Sequence, residues 1–106
     1  MVSFEDFKKL EIRVAEITAV EQHPNADRLY VLTVRIGETV KKIVAGIRLH
    51  YGPDELLGKR VVVIDNLEPA VIRGVESQGM ILAASEGELL TVVVPERPIN
   101  SGAVVR

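Results

Sequence analysis

The 106 residues include no cysteine, which removes disulfide frameworks, thiol nucleophiles and cysteine-based zinc or iron–sulfur centres together. Tryptophan is also absent, and two Phe and two Tyr are the whole aromatic inventory, so the core must be aliphatic. No apolar run approaches the roughly 20 residues needed to span a bilayer as a helix; Val61 to Ile64 is a typical one. The opening MVSFEDFKKL carries Glu5 and Asp6 and no apolar h-region, so no signal peptide is predicted, and the expected location is cytoplasmic. No charge of one sign dominates either: 13 basic against 15 acidic side chains leaves −2, which argues against the broad basic surface of a non-specific nucleic-acid binder.

What is abundant is Val (17) and Ile (9), both β-branched and both favouring strands. With 47% hydrophobic and 26% charged residues, the chain is predicted to fold as a single domain over 1–106. Phe4, Phe7 and Leu10 recur at helical spacing after Ser3, predicting a short helix over 4–9, too short to stand without packing partners. Strand patterns follow in EIRVAEITAV, RLYVLTVRI, TVKKIV, RVVVID, MILAAS and ELLTVVV. Turn residues Asn66, Pro69, Gly74, Gly79 and Gly87 separate the later ones. Pro53 and Gly58 bracket one helical turn in YGPDELLG. Short strands with a small helix in the middle predict an all-β, five-stranded OB-fold Greek-key barrel, with an SH3-like barrel or a small sandwich as the structural alternative.

Val61 to Ile64 and Leu89 to Val94 are apolar on both faces, while a barrel buries only one. The tail 95–106 also ends on apolar Val104 and Val105. Together with Phe4 and Phe7 in segment 1–10, these residues predict a homodimer joined through both termini.

The residues offer little for catalysis. His23 and His50 are the only neutral-pH bases, Ser77 lacks a G-x-S-x-G setting, and the glycines form no phosphate-cradling motif. No catalytic residue, metal or cofactor is expected. Charge is unevenly placed, however: segments 1–27, 28–75 and 76–106 carry −3, +3 and −2. Arg28, Arg35, Lys41, Lys42, Arg48, Lys59, Arg60 and Arg73 fall in the middle segment, as either solvated strand faces or a phosphate-contacting stripe. Few aromatics disfavour general single-strand binding by stacking. Recognition of a folded RNA by shape, hydroxyls and phosphates needs fewer of them.

Four motifs stand in order along the chain: Glu11-Ile-Arg13-Val-Ala, His23-Pro-Asn-Ala-Asp27-Arg-Leu-Tyr30, Ile43-Val-Ala-Gly-Ile47, and Asn66-x2-Pro69-x3-Arg73-Gly74-x2-Ser77-x-Gly79-Met80. The series resembles the tRNA-binding OB-domain family, found at the carboxyl end of methionyl-tRNA synthetases, in synthetase-associated factors and as free-standing small proteins. That resemblance implies binding to the outside corner of tRNA by shape, with homodimers among the free-standing members and a synthetase as a further partner. It places the RNA site on Asn66, Arg73, Ser77, Gly79 and Met80, with Lys41, Lys42, Lys59 and Arg60 as supporting phosphate contacts. Glu68 and Glu76 lie in the same loop and oppose phosphate. A second class stays open, because some relatives resemble a secretion-related chaperone that holds unfolded peptide in an apolar groove.

Overall fold

The computed structural model describes all 106 residues. Helix α1 (Phe4–Phe7) is capped by Ser3, whose hydroxyl accepts the Asp6 amide at 3.1 Å. It is shorter than the predicted 4–9, with Lys8 and Lys9 already in the turn that leaves it. Strand β1 (Ile12–Gln22) then leads an antiparallel meander with β2 (Tyr30–Ile36) and β3 (Thr39–Ala45). After α2 (Pro53–Leu56), β4 (Arg60–Ile64) returns to the free side of β1, so the order β3-β2-β1-β4 is a Greek key. The next strand of this sheet, β7 (Met80–Ile81), pairs with β4 and completes a five-strand path. The predicted five-stranded OB-like architecture is therefore the one found.

Period-2 alternation puts Tyr30, Leu32, Val34 and Ile36 of β2 into a cluster of fourteen buried residues, all aliphatic except Tyr30. Fully buried Leu56 brings the α2 turn into the same cluster. Burying so many β-branched and Leu side chains, at about 2 kcal/mol each, is the main term holding the sheet curled.

The barrel closes between β3 and the segment before β7, largely through side chains. Gln78 donates its amide to the Lys42 carbonyl at 2.8 Å, and its side-chain oxygen accepts the Lys42 amide at 3.0 Å. Ser77 Oγ accepts the Val44 amide at 2.9 Å and donates to the Gly79 carbonyl at 3.1 Å.

Four regions differ from expectation. Residues 66–80, read as a loop, contain a hairpin of β5 (Ala70–Ile72) and β6 (Val75–Ser77). MILAAS and ELLTVVV are each interrupted. Leu82 donates to Val62, Val93 donates to Leu82 and Val62 donates to Val93, a three-way backbone junction beyond which β8 (Ala83–Glu86) and β9 (Leu89–Val92) form a separate hairpin, exposed along β8 and anchored to the core by Leu90 and buried Val92. Val62 consequently needs no second chain to cover it and is buried within this one. The tail returns as β10 (Val104–Val105) on the edge of β1 that β2 leaves open, pairing Val105 with Ile12. It passes so close to the β2–β3 turn that a Cβ on Gly102 would lie 3.0 Å from Gly37 backbone.

On the outer face Glu16 lies in register with Arg35 on β2 and Arg60 on β4. The Arg35 hydrogen bond, aided by the charges of Arg35 and Arg60 and opposed by desolvation, holds its carboxyl below the ordinary 4.5. A carboxyl lowered on folding stabilises fully above its unfolded value and loses that contribution as pH falls through the folded value. The difference in urea midpoint between the protein and Glu16→Gln is expected at neutral pH and to vanish well below 4.5. A difference that persists unchanged in acid removes this account.

Candidate nucleic-acid interface

Ile72 and Val75 pair directly, leaving a two-residue turn of Arg73 and Gly74 with φ of 53° and 90°. Two positive φ values in a two-residue hairpin loop describe a type I′ turn, which favours Asn-Gly or Gly-Gly. Arg73 is the chain's one non-glycine residue at positive φ, a position that costs an arginine about 1 kcal/mol.

The tip is latched to the turn after β1. Buried His23 holds the Ile72 carbonyl through Nε2 at 2.9 Å, while its Nδ1 accepts the Asn25 amide at 3.0 Å. That acceptance fixes the tautomer, so Nε2 carries the proton and donates. Asn25 Nδ2 donates to the Arg73 carbonyl at 3.3 Å, and Arg73 Nη2 donates back to the Asn25 carbonyl at 3.2 Å. One guanidinium N–H is thus engaged, and the remainder face solvent on an exposed residue.

The other predicted RNA residues divide by what already holds them. Asn66 is exposed, yet its oxygen accepts the Glu11 amide at 2.8 Å and its nitrogen donates to the Lys9 carbonyl at 2.7 Å, bracing the segment before β1. Ser77 is 3% exposed, with its hydroxyl engaged in the barrel seam. Gly79 has φ of 152°, and a Cβ there would meet the Ile64 carbonyl oxygen at 2.9 Å. Lys41 is mostly buried and donates to the Asp65 carboxylate at 2.6 Å and to its carbonyl at 2.9 Å, so its charge is matched within the fold. Lys42 and Met80 are exposed beside the seam.

Lys59 and Arg60 line a different groove, about 340 Å³, with Arg97 and Glu96 of the tail. The buried Arg60 Nε has no partner, and Arg60 lies beside Glu16. At the termini Phe4 is 70% and Val104 57% exposed, with Phe7 also on the surface and Val105 half-buried against β1. Leu89, Val93 and Val94 are exposed too.

The hairpin latch is what sequence reading missed. His23-Pro-Asn-Ala-Asp27 reads as a turn, and only its distance from Arg73 in space reveals that it carries the tip. Gln78, unremarkable in sequence, closes the barrel.

The family model described as "Putative tRNA binding domain" matches residues 12–104. The chain is 52% identical over 105 residues to the methionine–tRNA ligase of Thermococcus kodakarensis and 45% identical over 106 residues to that of Nanoarchaeum equitans. It covers 99% and 100% of itself in these matches but only 14% of each ligase. Among solved structures it is similar to a MetRS-related protein from Pyrococcus horikoshii, with TM-score 0.93, 29% identity and coverage of 100% of this chain and 98% of that one. The CsaA chaperone protein of Picrophilus torridus matches with TM-score 0.92 and 28% identity over the whole of both chains.

Proposed function

Because the chain belongs to the tRNA-binding domain family, we propose that it binds folded tRNA by shape and backbone, with little dependence on sequence, as an accessory to methionyl-tRNA synthesis in the cytoplasm. The observation that carries this reading is Arg73, an arginine kept in a turn that glycine or asparagine would relieve, and presented on a latched tip. Backbone strain maintained around a projecting cation is typical of a binding site. Arg73, Lys42 and Met80 form the contacting set in this reading, and Asn66, Ser77 and Gly79 shape the loop that carries them. Lys59 and Arg60 extend the contact along the second groove. The chain is a binding module, and aminoacylation belongs to a ligase body.

A ligand held through several phosphates dissociates as salt displaces the contacts. Titrating unfractionated tRNA at low and high salt is expected to show affinity falling steeply, with a log–log slope of roughly −3 or steeper for several phosphate contacts. Absence of binding at low salt removes the proposal.

The exposed Phe4, Phe7 and Val104 support a homodimer joined through the termini. Sedimentation at micromolar concentration then returns twice the 11.6 kDa chain mass, and a monomer refutes this part alone. The second reading, a peptide-holding chaperone, is favoured by the CsaA likeness and by exposed Leu89, Val93 and Val94. Peptide capture by apolar surface holds or strengthens in sulfate, the opposite of tRNA binding.

A further inference from the structure

Against the hairpin tip opens a cleft of about 410 Å³, lined by Asn25, Ala26, Asp27, Arg28, Leu29 and Arg73. Its backbone is held in place: Asn25 is tied to His23 and Arg73, and the Ala26 carbonyl accepts Arg48 Nη1 at 3.3 Å. Its charges are not. Asp27 and Arg28 are exposed and take part in none of the five ion pairs, all of which lie elsewhere. Two guanidiniums and a carboxylate therefore surround half-buried Ala26 and Leu29 with their hydrogen-bonding capacity largely unspent.

A bare phosphate fits this lining poorly, because Asp27 repels it. A nucleotide fits all of it. Arg28 or Arg73 can hold the phosphate, the second guanidinium can lie on the base face, and the carboxylate can take donors from the base edge. Stacking within this cleft falls to arginine, since no aromatic side chain lines it. The carboxylate chooses among bases. Guanine presents N1–H and an N2 amino group side by side, two donors for two carboxylate oxygens. Adenine and cytosine put a ring acceptor beside their amino donor, and uracil flanks its one N–H with carbonyls, so each brings a lone pair toward Asp27.

We infer that this cleft receives one unstacked guanosine nucleotide of the bound RNA, read by Asp27 and clamped by Arg28 and Arg73. The inference rests on the tRNA reading above and adds a base preference to an otherwise shape-driven contact.

Amide NMR shifts of the full chain, titrated with guanosine, adenosine, cytidine and uridine 5′-monophosphates, test it. Guanosine monophosphate is expected to perturb Asp27, Arg28 and Gly74 and to bind roughly tenfold more tightly than the other three, as a bidentate base contact does. Asp27→Asn, at a side chain outside every ion pair, is expected to keep the fold and abolish the preference. Equal binding of the four nucleotides, no binding of any, or a preference that survives Asp27→Asn overturns the inference. If tRNA still binds in those cases, the functional reading stands without it. If guanosine monophosphate is selected while tRNA does not bind, the functional reading fails and the cleft stands as a nucleotide site.

Discussion

Replacing Gly79 with alanine is expected to destabilise the protein by about 3 kcal/mol, from a glycine-only backbone conformation and a backbone clash together. At φ 152° a side chain is strained whatever space surrounds it, and here the new Cβ would sit 2.9 Å from the Ile64 carbonyl and 3.4 Å from Ile43 Cδ1. Ile64 belongs to the β4–β7 pairing, so it cannot withdraw without breaking the strand that completes the sheet. Against a total stability of about 5–15 kcal/mol this is a large fraction, and the thermal midpoint should fall by roughly 15 °C. A variant melting within a few degrees of the parent shows that the junction has room to move. The sharper consequence concerns function: a loss of tRNA binding in this variant says nothing about contact at Gly79, because the barrel seam is lost with it.

Arg73→Asn separates the two effects. Asn-Gly is the preferred pair for a type I′ turn, so stability should rise by roughly 0.5–1 kcal/mol, less the exposed hydrogen bond to Asn25. Affinity for tRNA should fall about tenfold, with the salt dependence shallower by about one phosphate. Urea unfolding and a salt-resolved titration measure the two quantities independently. A variant that gains stability and keeps its affinity leaves the strained arginine unexplained and moves the site elsewhere.

How far the sequence could be read depends on what each residue's role leaves in the pattern. Alternating Val, Ile and Leu must face one core, so the strands β1, β2 and β4 follow from periodicity and turn placement, while their Greek-key order rests on the β1–β4 pairing and is legible only through the match to an OB-fold. The β5–β6 hairpin escapes because its strands have three residues each and its turn begins with arginine, which is no turn signal. Ser77 reads as an exposed hydrogen-bonding residue and is in fact buried, since its partner Val44 is distant in sequence and adjacent only after closure. Lys41 reads as a free cation until Asp65 is brought to it. In ELLTVVV the apolar pattern predicts one long strand, whereas the junction of Val62, Leu82 and Val93 ends it at Val92. Apart from the local β5–β6 hairpin, these are long-range pairings, which periodicity does not encode.

The closure of the barrel by the side chains of Ser77 and Gln78 gives the region between Asn66 and Met80 two duties, as the carrier of the proposed binding tip and as the clasp of the fold. The tip and the clasp use different hydrogen bonds but lie on one short stretch of chain. In the proposed reading, anything that loosens the clasp also lets the tip wander, so variants of Ser77 and Gln78 should lose tRNA affinity together with resistance to unfolding, whereas Arg73→Asn, outside the clasp, should part the two.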